Sequence, residues 1–148
     1  MMIAPLVVAL LAAPSAASAP SVGTIRMQLF YEDSGRLSRD IAPPADFTGW
    51  NTIIGEGSAE EAANDLLVLV EVRGAAGENI AQPLSVVARG GKGKVIGQRR
   101  FTSLLTSGKG RTWKALWLTD VGCAGRIEVT ATIGRSTRKS AIDLDCGE

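Results

Sequence analysis

Cys123 and Cys146 are the only cysteines in the chain, and the residues between them read as one β-hairpin. Gly134-Arg135 has the Gly-X form of a two-residue II′ turn, so Ile133 is expected opposite Ser136. Counting outward pairs Thr132 with Thr137, Ile127 with Ile142, Arg126 with Asp143 and finally Cys123 with Cys146. One face then carries Cys123, Ile127, Val129, Ala131, Ile133, Ile142, Leu144 and Cys146. The other carries Arg126, Glu128, Thr130, Thr132, Lys139, Asp143 and Asp145, the alternation of a sheet solvated on one side. A one-residue slip would turn every apolar side chain to water. Opposite Cα atoms in such a ladder lie about 4.5 to 5.5 Å apart, within disulfide reach, and a bridge closing this loop stabilises by roughly 3 kcal/mol. Two reduced, buried thiols are the alternative.

Three tryptophans offer a different chemistry. Trp113 and Trp117 share one face of a strand, with Leu116 and Leu118 on the other, and Trp50 stands apart in the chain. Packed indoles would serve the core; exposed ones would stack on sugar rings or anchor a protein partner. Arg99 and Arg100 belong to a run of basic residues, Arg89, Lys92, Lys94, Lys109, Arg111 and Lys114, that would hold an acidic partner or polyanion. Glu56, Glu60, Glu61 and Asp65 would be oxygen ligands for calcium, although their spacing follows no calcium-loop pattern and no metal is expected.

Catalysis is mostly excluded by composition. The chain has no histidine, which removes imidazole bases, Ser-His and Cys-His nucleophiles and histidine ligation of metals. Ser136-Thr137-Arg138-Lys139 matches S-x-x-K, but on a strand Ser136 and Lys139 point to opposite faces. Gly108-Lys109-Gly110 lacks the following Ser or Thr of a phosphate loop, and Gly91-Lys92-Gly93 precedes a strand. An enzyme would have to use carboxylates such as Glu56 or Asp120. No cofactor is expected, and nucleic acid is not an expected partner.

The elements that position these groups are read as strands. Residues 1–19 look like a secretory signal peptide: Leu6 to Ala13 is apolar but too short to span a bilayer, and Ser15 to Ala19 are small, with cleavage after residue 17, 18 or 19. No lysine or arginine precedes the apolar run. Export implies a periplasmic or secreted location, an oxidising one, and no later segment is apolar enough to cross a membrane. Residues 20–148 form one domain by length. Strands are predicted over Thr24 to Tyr31, Asp65 to Arg73, Pro83 to Arg89, Lys94 to Phe101, Thr112 to Thr119, Cys123 to Ile133 and Ser136 to Asp145. Gly90 to Gly93 and Gly108 to Gly110 are expected to be hairpin turns.

Seven strands with turns between them resemble an immunoglobulin-like or fibronectin-III-like antiparallel β-sandwich, with the 32–64 segment as a long insertion. Within it, Ser58-Ala59-Glu60-Glu61 matches a capping box, predicting a helical turn over Ala59 to Ala63, and Thr52-Ile53-Ile54 is a candidate extra strand. Residues 20–79 hold 4 basic and 10 acidic side chains, a net of −6, and residues 80–148 hold 12 and 5, a net of +7. The expected function is a non-catalytic envelope binding module that engages a protein partner through an edge or the 32–64 segment. A carbohydrate-binding module using Trp50, Trp113 and Trp117 is the alternative.

Overall fold

The computed structural model describes residues 17–147. The expected signal peptide, apart from residues 17–19, lies outside the described residues. These contain nine β-strands and no α-helix: β1 (Ser21–Phe30), β2 (Asp65–Arg73), β3 (Asn79–Ile80), β4 (Leu84–Arg89), β5 (Val95–Phe101), β6 (Leu104–Leu105), β7 (Arg111–Leu118), β8 (Gly125–Ile133) and β9 (Ser136–Leu144). No helix among them is long and apolar enough to cross a membrane.

Every ladder is antiparallel. A three-stranded sheet has the order β1-β2-β7, a four-stranded sheet β5-β4-β8-β9, and β3 pairs with β6. The expected count of seven strands is thus two short: β3 and β6 have two residues each, too few to show a period of two. Alternation in the long strands sends Met27, Leu29, Leu66, Val68, Val70 and Leu118 of one sheet against Leu84, Val129, Ile133 and Leu144 of the other, all essentially out of water. Burying each such side chain stabilises by about 1.5 to 3 kcal/mol. Along the two flanks, β1 lies against β9 and β7 against β5.

The terminal hairpin keeps the expected register from Ile133↔Ser136 to Arg126↔Asp143. Gly134 has φ +54° while Arg135 does not take a positive φ, as a II′ turn requires. The ladder ends at Gly125↔Leu144, so the cysteines lie just beyond it. They still form a disulfide, with Cα atoms 5.1 Å apart. Cys123 is exposed instead of buried as expected, because Gly125 takes φ +70° and the strand has not yet begun.

Residues 90–93 connect the paired strands β4 and β5 as expected. Gly108 to Gly110 corrects the hairpin reading. Gly110 N–H does reach Ser107 O at 2.9 Å, but the strands on either side pair elsewhere, β6 with β3 and β7 with β2.

The 32–64 segment is a clasp across the β1/β9 flank. Ser38 and Ile41 donate their N–H groups to the Leu29 and Met27 carbonyls, at 2.9 and 2.8 Å, while Ser38 Oγ and Asp40 Oδ1 accept from the Leu29 and Met27 N–H groups. The edge of β1 is satisfied this way. Further on, Asn51 N–H meets Asp145 O at 2.8 Å and Asp145 N–H meets Gly49 O at 2.7 Å, so the clasp also holds the end of β9. Its own Ile41, Ala42, Thr52 and Ala63 are buried.

Two local expectations in the clasp are overturned. There is no helical turn over 59–63: Ser58 Oγ accepts from Thr48 N–H at 2.9 Å instead. Glu61 accepts from Arg36 Nη2 at 2.7 Å and from Ser34 N–H at 3.1 Å, and the Arg36 bond, then the Ser34 one, hold its carboxyl below the ordinary range. Thr52–Ile54 is a 3-10 turn and not a strand, bracketed by Asn51 (φ +47°) and Gly55 (φ +76°). Left-handed residues on both sides override its β propensity.

Candidate functional site

The outer face of the three-stranded sheet is the candidate site. Alternation that buries Leu66, Val68 and Val70 sends Leu67 and Leu69 outward on the central strand, where both are partly buried by their neighbours. The same rule on β7 buries Leu116 and Leu118 and presents Trp113, Ala115 and Trp117; on β1 it presents Arg26, Gln28 and Phe30. Register sets these side chains in rows: Gln28, Leu67 and Trp117 in one, Arg26, Leu69 and Ala115 in the next. Two contacts reach over the central strand. Phe30 meets Trp117 edge to face with centroids 5.4 Å apart, and the Arg26 guanidinium sits 4.5 Å from the centroid of Trp113. Leu67 and Leu69 lie between them.

Polar groups bound this apolar strip. At one end Asp65 accepts from Trp117 Nε1 at 3.2 Å and from Asp120 N–H at 3.0 Å. At the other, Glu71 is buried beside Trp113 and accepts from Thr24 N–H at 3.0 Å and from Arg73 at 2.8 and 3.1 Å, with Arg111 Nη1 at 3.9 Å. Burial pushes the Glu71 carboxyl up, but the Arg73 guanidinium and the Thr24 N–H outweigh it and hold the group below the usual range. A Cβ at Gly23, where β1 bulges, would strike this carboxylate and the Arg73 guanidinium and push the pair aside.

Trp50 is not brought together with the other two tryptophans. It pairs with Asp145 in an isolated parallel bridge on the opposite flank, 47 % exposed, and lines a groove of about 330 Å³ between the clasp and β9. Trp117 is 43 % exposed, whereas Trp113 lies half-buried under Arg26.

Arg99 and Arg100 also part company. Arg99 Nη1 donates to the Ala115 carbonyl at 3.2 Å on the β7 edge and lies 4.7 Å from the Phe101 ring centre; Arg100 stands on the outer face of β5 with Ser85 and Gln98. With Lys94, Lys114 and Arg111 they make the β5/β7 flank basic, opposite the acidic clasp with Glu32, Asp33, Asp40, Asp46, Glu56, Glu60 and Glu61. The charge asymmetry of the sequence therefore maps onto two flanks.

The acidic residues weighed as calcium ligands go to protein partners instead: Glu56 to Asn51 Nδ2 at 2.8 Å, Glu60 and Glu61 to Arg36 at 3.7 and 2.7 Å, Asp65 to Trp117 and Asp120. Among the described residues no three acidic or thiol groups converge on a metal position. Ser136 and Lys139 are likewise apart, Ser136 Oγ accepting from Val22 N–H and Lys139 pairing with Glu128.

Sequence reasoning missed Leu67, Leu69, Phe30 and Arg26. The unbroken apolar run Leu66-Leu67-Val68-Leu69-Val70 carried the signal: a strand apolar on both faces is covered on both or offers one to a partner.

No family model matches the chain, and no curated protein matches it. Among solved structures, the ligand binding region of serine-glutamate repeat protein A of Enterococcus faecium aligns at 10 % identity over 55 % of this chain and 83 % of that one, with a TM-score of 0.33. So loose a likeness carries no argument about this chain.

Proposed function

We propose that this is an exported, non-catalytic binding module of immunoglobulin-like or fibronectin-III-like architecture, docking a protein partner on the outer face of its three-stranded sheet. The strand orders β1-β2-β7 and β5-β4-β8-β9, sharing one core, support the sandwich reading, and the disulfide supports an oxidising, periplasmic or secreted location. The observation that carries the function is the outward pair Leu67 and Leu69 flanked by Trp113 and Trp117. The outer face of the four-stranded sheet shows Thr130, Thr132, Thr137, Lys139 and Glu128 instead. Trp and Arg are the side chains that dominate protein hot spots, and the two leucines add apolar area between them for a partner to cover. Leucines offer a sugar nothing to hydrogen-bond, and Arg26 already covers the Trp113 ring, which disfavours the carbohydrate reading here. Arg26, without an ion pair among the described residues, favours a partner with carboxylates at its rim.

The test is a photo-crosslinker at position 24, exposed on the same face at the rim beside Arg26, in protein secreted by its own host, compared in Leu69→Lys and Thr130→Lys backgrounds. A single partner, lost with Leu69→Lys and kept with Thr130→Lys, is expected. A partner captured equally by both variants, or a glycan retained only while Trp113 and Trp117 are intact, would overturn the proposal.

A further inference from the structure

We infer that the groove beside Trp50 is a second, separate binding site, for an organic ammonium group carried on an apolar stem. It measures about 330 Å³, at the small end of ligand-pocket sizes, and its apolar wall is Pro43, Phe47, Ile142 and the indole of Trp50. The indole is held in place before any ligand arrives. Hydrogen bonds from Asn51 N–H to Asp145 O and from Asp145 N–H to Gly49 O fix the residues on either side of it. Gly147 N–H donates to Asn51 Oδ1 at 2.7 Å, and the backbone of Gly147 approaches the ring so closely that a Cβ there would press on it. A site that is already rigid loses little entropy on binding.

The charge of the groove selects the ligand. Its only charged lining residues are Asp143 and Asp145, and no lysine or arginine lines it. Asp143 makes an exposed pair with Arg126 at 3.6 Å, whereas Asp145 has neither an ion pair nor a side-chain hydrogen bond among the described residues. The clasp that forms the other wall carries seven acidic residues against Arg36 and Arg39, the latter bonded to Asp46 O beside Phe47, so its net negative charge favours cations over anionic sugars. A half-exposed indole and an unpaired carboxylate that line one groove suit an ammonium group, the ring offering its face and the carboxylate its charge. The stem would lie on Phe47 and Ile142.

Amide and indole NMR shifts of the intact secreted protein test this, with n-butylammonium chloride, n-butanol and the blocked peptide acetyl-Gly-Lys-Gly-amide as probes. Saturable shifts at Gly49, Asp145 and the Trp50 indole N–H are expected with n-butylammonium, with n-butanol weaker by about tenfold. Tighter binding of the peptide marks a protein lysine as the source, and tighter binding of n-butylammonium a free amine. Asp145→Asn, which removes no intramolecular bond, should weaken binding about fivefold, and Trp50→Phe should retain part of it. Equal response to n-butanol, unchanged affinity in Asp145→Asn, or shifts at Trp113 and Trp117 instead would overturn the inference, without touching the protein-docking face.

Discussion

Arg26 and Trp113, on strands that never touch, meet over the central strand with the guanidinium 4.5 Å from the indole centroid. The contact folds a long cationic side chain over an aromatic that would otherwise face water. Arg26→Ala should cost about 0.5 to 1 kcal/mol by urea titration and red-shift the tryptophan emission of the folded protein. Unchanged emission would mean that Trp113 is shielded by something else.

Glu71 should make the fold sensitive to acid. Its folded-state pKa is depressed, so the stability it contributes is complete above the unfolded carboxylate value, near pH 4.3, and is lost as pH falls through the folded value below that. Glu71→Gln should destabilise at pH 7 by about 1 to 3 kcal/mol and flatten the stability curve in the acid window. Parallel urea titrations of both proteins from pH 7 to pH 2.5 check the sign; a variant as acid-sensitive as the parent would refute it.

The hairpin and the clasp differ in how far they can be read from sequence. Ile133, Ser136, Ile127 and Ile142 reveal their partners because a period of two and a Gly-led turn determine each pairing locally. Ser58 and Glu61 mislead for the opposite reason. The capping pattern is local, but Thr48, Ser34 and Arg36 supply better partners through the tertiary fold, and left-handed Gly55 and Gly57 stand just ahead of the would-be helix. The candidate site was half visible: Trp113 and Trp117 drew attention by type, while Arg26 and Phe30 join them only through a register that needs β1 and β7 on either side of β2.

Gly49 should tolerate no side chain. A Cβ there would collide with the Asp143 carbonyl, so Gly49→Ala should destabilise by about 1 to 3 kcal/mol and release the clasp from β9. Faster amide exchange at Asn51 and Asp145, with the β1–β2 ladder unchanged, is the expected signature.

Reduction of Cys123–Cys146 should lower stability by roughly 3 kcal/mol without unfolding the terminal hairpin, since the ladder closes at Gly125↔Leu144 without it. Thermal melts with and without reductant, alongside Cys123→Ser/Cys146→Ser, measure this. Loss of the β8–β9 amide protection in the double variant would show that the bridge holds the register.

The separation of acidic clasp from basic β5/β7 flank gives a chain of nearly zero net charge a built-in compass. A polyanionic surface would draw the side that bears these arginines and lysines toward itself and leave the Trp50 groove on the far side of the body.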